Sequence, residues 1–178
     1  HRATGAPVRA VLPEFCRDAE PLLGGPPPAG DLPLSGREVV RAAGLELWVL
    51  ATPGHTSDSV SVFLPHDGPH GAMATGDTVL GRGTTILDSP DGRLGDYLGS
   101  LETLAGFGPA VLLPAHGPVL PDLSAVVAQY AAHRRERLDQ VRAALAAIAR
   151  DAGAGHVPGV AEVTDRVYAD VDPSVRGA

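Results

Sequence analysis

Three side chains that could bind a metal ion each follow an apolar segment of the sequence. His55 follows WVLATPG, Asp77 follows AMATG, and His116 follows AVLLPA. In each segment a turn of small residues places an imidazole or a carboxylate at the end of a predicted strand, where a rigid sheet can hold it. Imidazole and carboxylate ligands together suit zinc, although manganese or iron would also accept them. Each signal is weak alone, and the three together favour a metal site.

The segments around these residues predict a layered α/β core. Apolar or alternating runs predict four strands, at the sequences LELWVL, SVSVFL, GAMATG and AVLLPAHG. The first of these strands is expected to be buried and the second half-buried. Apolar residues at helical spacing between Leu94 and Phe107 predict a helix before the last strand. The hairpin loop PHDGPHG should expose His66 and His70 to solvent. Strands that alternate with a helix are typical of layered α/β domains.

Two helices are expected after this core. Pro121 and Asp122 precede a long apolar stripe that ends at a glycine-rich break at residues 153–155. The residues of this stripe are Leu123, Val126, Val127, Tyr130, Leu138, Val141, Leu145 and Ile148. A shorter helix is predicted in GVAEVTDRVYADV. We therefore predict one domain over residues 1–120 and a linking helix with the start of a second unit over residues 121–178.

Composition excludes several classes of protein. The chain has 178 residues, 44% of them hydrophobic, and a formal net charge of −7, which argues against a general binder of nucleic acid or anionic membranes. No apolar run is long enough to span a bilayer and no signal-peptide pattern is present, so we predict a cytoplasmic protein without a membrane partner. The single cysteine, Cys16, excludes an internal disulfide, and we expect it to be a small buried residue.

The motif string resembles that of a known family. TPGHT, TGDT and PAHGP, with 22 residues from His55 to Asp77 and 39 from Asp77 to His116, resemble the second to fourth metal motifs of the metallo-β-lactamase superfamily. Within it, TGDTVLGRGTT, DYLGSL and the passage from PAHGPVLPD to HRRERL resemble the β-lactamase-like protein 2 branch, which contains hydrolases and endoribonucleases. The resemblance implies a partial αββα sandwich followed by a helical, winged-helix-like C-terminal start.

The same resemblance implies a function and a site. His55 would bind a first metal, Asp77 would bridge two metals as the catalytic carboxylate, and His116 would bind the second. The centre would hold two ions, zinc first, and supply a metal-bound hydroxide for hydrolysis. Thr84 and Thr85, in GRGTT, would face the substrate. A tight turn with a capping hydroxyl is the alternative for these two threonines.

One departure from the family pattern limits these expectations. The superfamily's first motif, His-x-His-x-Asp-His, supplies most of the metal ligands and is absent from this sequence. We therefore expect the chain to be the C-terminal part of a longer hydrolase, cut short at both ends and inactive as it stands. A glyoxalase-II-like thioesterase is one alternative. A non-catalytic fragment or binding module is another.

Substrate class stays open at this stage. A small-molecule ester or thioester fits the metal chemistry, and single-stranded RNA would fit if the arginines of HRRER, His133 to Arg137, contact phosphates. Such a run is more often the solvated face of a helix. The sequence does not determine the oligomeric state, and a homo-oligomer is one of the states it allows.

Overall fold

A computed structural model describes residues 37–87, 89–152 and 155–169 of the chain. It divides the chain into two compact units, with the boundary between Tyr130 and Ala131. This boundary falls inside the long helix, whereas the sequence expectation placed the change at residue 121. The expectation for Cys16 lies outside the described residues. No helix among the described residues has both the length and the apolar character needed to cross a membrane.

A five-stranded mixed sheet forms the first unit. The strands are β1 (Arg37–Ala42), β2 (Leu45–Ala51), β3 (Val60–Leu64), β4 (Ala72–Gly76) and β5 (Val111–Pro114), and they lie in this order across the sheet. Neighbouring strands from β1 to β4 are antiparallel, and β4 pairs with β5 in parallel. The four strands predicted from the apolar runs are present. The mixed α/β fold class is therefore confirmed.

Strand β1 was missed because the turn that joins it to β2 lacks the usual sequence signal of a hairpin. It forms a hairpin with β2 through a two-residue turn at Ala43 and Gly44, whose φ angles are 51° and 80°. Positive φ at both turn residues is the geometry that suits two-residue hairpins, and Asn-Gly is its usual sequence signal. Ala-Gly does not carry that signal, so the sequence did not predict the hairpin.

Strand β2 is less buried than its apolar sequence predicted. Val49 is 5% exposed, whereas Leu45 and Trp48 are 54% and 39% exposed, so the prediction of a buried strand was wrong. The Trp48 ring contacts Phe63 edge-on at 5.7 Å, and its Nε1 donates to the carboxylate of Glu46 at the surface. An apolar run in the sequence does not reveal which face of the strand other elements will cover, and this explains the error.

The core is centred on β3, β4 and β5. Met73 is fully buried and pairs with Phe63 on one side and Leu112 on the other, while Phe107 contacts the Phe63 ring at 4.8 Å. Burial of each large apolar side chain contributes roughly 1.5–3 kcal/mol. The parallel pair β4–β5 is therefore a rigid part of the sheet, and its strand ends are well placed to hold functional groups.

Helix α1 (Leu94–Ala105) connects β4 to β5 and confirms the helix predicted there. Tyr97, Ser100, Leu101 and Leu104 form its buried face. Two of these residues bond to loops that follow strands: the Tyr97 hydroxyl donates to the carbonyl of Thr78, and the Ser100 hydroxyl donates to that of Pro53. The helix therefore fixes the loops after β2 and β4 as well as filling the core.

Helix α2 (Leu123–Ala152) begins where the sequence placed it and continues into the second unit. Its first turns bury Leu123, Val127 and Tyr130. Leu145, expected in the same apolar stripe, is 40% exposed, whereas Ala144 and Ile148 are buried further along the helix.

Helix α3 (Val160–Val167) is the short C-terminal helix. In this second unit the Arg137 guanidinium lies over the Tyr168 ring, 5.1 Å from its centroid, and Arg166 pairs with Asp151 at 2.8 Å. No strand occurs in the described part of this unit, residues 131–152 and 155–169. The winged-helix assignment therefore stays a prediction.

Gly54 is the point at which the loop after β2 meets α1. Its φ is +141°, and a Cβ atom built on it would lie 2.5 Å from Cα of Tyr97. We expect Gly54→Ala to lower the free energy of unfolding by about 2–5 kcal/mol, from backbone strain and overpacking together. Gly83 is the control, because its φ of +76° is also positive but a Cβ there meets nothing within 4 Å. Urea unfolding of both alanine variants is the measurement, and equal losses would contradict the packing argument.

Asp122 caps the N-terminus of α2. The Ser124 hydroxyl and the Ala125 backbone N–H donate to its carboxylate, and these hydrogen bonds lower the pKa of Asp122 below the ordinary aspartate value. Because the pKa is lowered in the folded state, the stabilisation is complete above the ordinary aspartate pKa of about 3.9 and is lost as the pH falls through the lowered value.

Asp122→Asn should therefore reduce the loss of thermal stability that the wild type shows below about pH 4, because asparagine caps a helix but carries no titrating carboxyl group. Asp122→Ala should lower the melting temperature at neutral pH, where Asp122→Asn should not. Circular dichroism melting from pH 7 to pH 2 measures both effects. If the melting temperatures of the wild type and Asp122→Asn fall equally as the pH is lowered, the Asp122 carboxylate contributes nothing to the loss of stability in acid.

Candidate metal centre

Asp77 and His116 lie side by side because β4 and β5 are parallel. Gly76 and Pro114 pair at the carboxyl ends of these strands, and the Ala115 N–H extends the pairing by donating to the Gly76 carbonyl at 3.1 Å. The next residue of each segment is a candidate ligand. The structure places Nε2 of His116 3.4 Å from Oδ1 of Asp77, with the two side chains 75% and 39% exposed. Both groups are therefore accessible to a ligand.

The loops that follow β4 and β5 are held together through their backbones. The Gly81 N–H donates to the carbonyl of His116 at 2.9 Å. Gly117 has a φ of +90°, and a Cβ on it would lie 2.8 Å from the backbone nitrogen of Arg82. No other residue type could follow His116 without separating these loops. This close approach fixes the backbone that carries the His116 imidazole.

His55 is oriented by a hydrogen bond from its own ring. Its Nδ1 lies 2.7 Å from the carbonyl oxygen of Ile86. A carbonyl oxygen can only accept, so Nδ1 carries the hydrogen and the lone pair of the neutral ring is on Nε2. Histidines that bind metals commonly donate their second ring N–H to a carbonyl in this way. This tautomer of His55 therefore leaves the Nε2 lone pair available to a metal ion.

The loop that carries His55 is ordered by hydroxyl and carboxylate groups. The Thr56 hydroxyl donates to Asp58 at 2.7 Å and lies 2.8 Å from the Ser59 hydroxyl. The Ser57 backbone N–H donates to Asp91 at 2.7 Å. Hydrogen bonds from the side chain and backbone of Ser57 lower the pKa of Asp91 below its ordinary value. The Asp58 and Asp91 carboxylates therefore serve to order the loop.

A shallow cavity of about 350 Å³ opens between the loops after β2 and β4. Its lining residues are His55, Thr56, Asp58, Ser59, Val60, Gly76, Asp77 and Thr78. This lining contains two carboxylates and one imidazole, and it contains no arginine. Its charge therefore suits a cation, while a polyanion would be repelled unless a metal were bound.

The residues present fit part of a metal centre. Two ligands bound about 2.1 Å from a tetrahedral ion lie roughly 3.4 Å apart, and the Asp77–His116 separation is 3.4 Å. Among the described residues, however, no group of three His, Cys, Asp or Glu side chains is close enough to hold a metal. The structure thus offers His55 as one ligand and the Asp77–His116 pair as two others, and further ligands are needed to complete a site.

The two threonines expected to face a substrate differ in their placement. Thr84 is exposed, and its contact with a substrate stays a prediction. Thr85 is 3% exposed, and its hydroxyl donates to the carbonyls of Asp77 and Thr78. The expectation that Thr85 faces a substrate is therefore corrected. The Thr85 hydroxyl joins its loop to carbonyls seven and eight residues earlier, so the alternative of a tight turn with a capping hydroxyl does not describe it either.

Sequence reasoning missed the buried hydroxyl groups beneath the site. Tyr97 was treated only as one apolar residue of the helix stripe, yet its hydroxyl bonds to the residue after Asp77. A signal was available, because the hydroxyl of a buried tyrosine usually has a hydrogen-bond partner. What the sequence could not show is which backbone carbonyl that partner would be.

The arginines of HRRER are partly engaged within the second unit. Arg137 stacks on Tyr168 and donates to Gln140 at 2.8 Å. Arg134 also has a partner, and Arg135 is exposed. The run is therefore closer to a partly packed helix face than to a row of arginines available for phosphates.

Comparison with known proteins identifies the family. The family model of the metallo-beta-lactamase superfamily matches residues 2–116. Lactamase-like protein nscB of Neosartorya fischeri is 34% identical over 67% of this chain and 34% of its own length. The beta-lactamase-like protein 2 homolog of Caenorhabditis elegans is 32% identical over 77% of this chain and 42% of its own. Atrochrysone carboxyl ACP thioesterase AacuM of Aspergillus aculeatus is 32% identical over 80% of this chain and 44% of its own.

Solved structures show the same fold. A metallo-beta-lactamase family protein from Thermus thermophilus superposes with a TM-score of 0.67 at 23% identity, covering 94% of this chain and 62% of that protein. TTHA1623, solved in a di-iron-bound form, superposes with a TM-score of 0.52 at 24% identity, covering 72% of this chain and 65% of that one.

The chain spans less than half the length of these curated relatives. The family match nevertheless covers the strands and the loops that carry His55, Asp77 and His116. It agrees with the resemblance found in the motifs, including the similarity to β-lactamase-like protein 2. The chain belongs to the metallo-beta-lactamase superfamily.

Proposed function

We propose that this chain is part of a metal-dependent hydrolase that cleaves small-molecule thioesters or esters. The observation that carries the proposal is the 3.4 Å approach of His116 Nε2 to Asp77 Oδ1 at the carboxyl ends of two parallel strands. Membership of a hydrolase superfamily and the similarity to a protein named as a thioesterase support it.

The residues of this chain would divide the work of holding the metals. His55 would bind one ion through Nε2, because its Nδ1 hydrogen is committed to the Ile86 carbonyl. His116 would bind the second ion, and Asp77 would bridge the two. A bound divalent ion acts as a Lewis acid and as the source of a nucleophile at neutral pH. Zinc suits these ligands, and iron is a second candidate because a protein of the same fold was solved with two irons.

The surroundings of the site favour a thioester or ester over RNA. Apart from bound metal ions, the cavity lining offers no arginine that could pair with a phosphate backbone. Ile86, whose carbonyl orients His55, exposes 77% of its surface and offers an apolar contact for an acyl chain. The Arg137 guanidinium already stacks on Tyr168 and donates a hydrogen bond to Gln140, so it is engaged within the protein. Endoribonuclease activity remains the alternative outcome of the substrate test, and a non-catalytic binding module is the alternative outcome of the metal test.

Metal content tests the ligand assignment. The longest natural reading frame that contains this chain should be purified and measured by inductively coupled plasma mass spectrometry. His55→Ala, Asp77→Ala and His116→Ala should each lower bound metal, and each should lower hydrolytic activity by more than the roughly 10- to 100-fold typical of groups that only support a ligand.

His66→Ala is the matched control, because His66 is an exposed histidine in the hairpin loop after β3. It should retain the metal content and the activity of the wild type. A wild-type protein without a transition metal, or an Asp77→Ala variant with unchanged metal content, would contradict the proposal.

A substrate panel tests the reaction class. Acyl thioesters, the matching oxygen esters and single-stranded RNA oligonucleotides should be offered to the same metal-loaded preparation. We expect hydrolysis of thioesters or esters that is abolished by a chelator and by Asp77→Ala, with no cleavage of RNA. Cleavage of RNA with no turnover of either ester class would reverse the assignment in favour of an endoribonuclease.

A further inference from the structure

Five buried hydroxyl groups converge beneath the candidate metal centre. Thr52, Ser61, Thr78, Thr85 and Tyr97, here called the hydroxyl cluster, are each at most 3% exposed. The Thr52 hydroxyl lies 3.0 Å from that of Ser61 and 3.2 Å from that of Thr78. Thr52 is in the segment that leads to His55, and Thr78 follows Asp77. The cluster therefore joins the segments that carry two of the candidate ligands.

The peptide group between Asp77 and Thr78 is bonded on both sides. The carbonyl of Asp77 accepts from the Thr85 hydroxyl at 2.9 Å, and the N–H of Thr78 donates to the carbonyl of Thr75 at 3.0 Å. Rotation of this peptide would break both hydrogen bonds in a buried environment, where unmade bonds are costly. The backbone of Asp77 is therefore held in one orientation.

The next carbonyl is held as well. The carbonyl of Thr78 accepts from the Tyr97 hydroxyl at 2.8 Å and from the Thr85 hydroxyl at 3.1 Å. A carbonyl oxygen has two lone pairs, so both donors can be accommodated, with the Thr85 hydrogen shared between two carbonyls. Thr85 and Tyr97 thus restrain the two peptide groups that follow Asp77.

Core packing alone does not account for these hydroxyls. Phenylalanine and valine would fill the same volumes without requiring hydrogen-bond partners, and burying a hydroxyl is unfavourable unless it is bonded. Tyr130 offers a comparison, because its hydroxyl also bonds to the loop after β4. It contacts Leu80 and Gly83, further from Asp77.

We propose that Thr85 and Tyr97 are positioning residues for Asp77, holding the backbone that aims its carboxylate at the metals. The inference rests on the proposed metal-dependent function. Neither residue would touch a metal or a substrate. Thr85 would act by preventing the peptide that follows Asp77 from rotating, and Tyr97 would act by holding the next peptide, which carries the Thr78 carbonyl.

Metal affinity and the geometry of the bound ion test this role. Tyr97→Phe and Thr85→Val should be made in the longest natural reading frame that contains the chain. Each should weaken zinc binding about 10-fold, as is typical for groups that orient a ligand. The readouts are competition with a chromophoric chelator and the visible absorption spectrum of the cobalt-substituted protein, which should change in both variants.

Two variants serve as matched controls. Tyr130→Phe removes the same atom as Tyr97→Phe, but that hydroxyl bonds to Leu80 and Gly83 instead of to the carbonyl of Thr78. Thr85→Ser keeps the hydroxyl that Thr85→Val removes. Both should retain the zinc affinity and the cobalt spectrum of the wild type. If Tyr97→Phe does not fold, the two Thr85 variants decide the question between them.

The possible failures are distinguishable. Equal weakening by Tyr97→Phe and Tyr130→Phe, or by Thr85→Val and Thr85→Ser, would overturn the positioning role while leaving the metal site intact. Unchanged affinity in both Tyr97→Phe and Thr85→Val would overturn it too. A wild-type protein that binds neither zinc nor cobalt would overturn the proposed function and this inference with it.

Discussion

The parallel pairing of β4 with β5 is the constraint on which the candidate site depends. Parallel strands present their carboxyl ends at the same edge of a sheet, and a hydrogen bond from Ala115 to Gly76 carries the pairing to the point where both strands end. Asp77 and His116 are the next residues of the two segments, so the strand pairing itself brings them close together. The buried contacts of Met73 and Leu112 keep this pair of strands rigid. The strand pairing is therefore what brings these two residues together.

A second layer of polar contacts turns these strand ends into an ordered site. Val79 anchors the loop after β4 in the core, and hydrogen bonds supply much of the remaining order of these loops. Thr85 and Tyr97 bond to carbonyls beside Asp77, the Ile86 carbonyl selects the tautomer of His55, and Gly117 permits the approach of two backbones. These contacts join residues that are distant in sequence, which explains why a loop-borne site can keep a defined geometry.

Periodicity and spacing predicted much of the fold, and the errors have physical causes. The helix from Leu94 and the start of α2 at Asp122 were predicted because apolar spacing and capping are local signals. Strand β1 was missed because an Ala-Gly turn lacks the usual hairpin signature. Burial of Trp48 was overestimated because hydrophobicity does not reveal what covers a face. Thr85 was placed toward a substrate because its partners, two backbone carbonyls, have no sequence signature.

The sequence by itself determined the chemistry available to this protein: the ligand types at positions 55, 77 and 116, their order along the chain, and their location after apolar strands. Those properties depend on residue identity and local pattern, and they were sufficient to indicate the superfamily. Only the tertiary structure decided which of these side chains lie together, which nitrogen of His55 carries the hydrogen, and that Thr85 and Tyr97 bond around Asp77. All of these features depend on contacts between residues that are separated in the sequence. Such contacts form only once the sheet has paired and the loops have packed against α1.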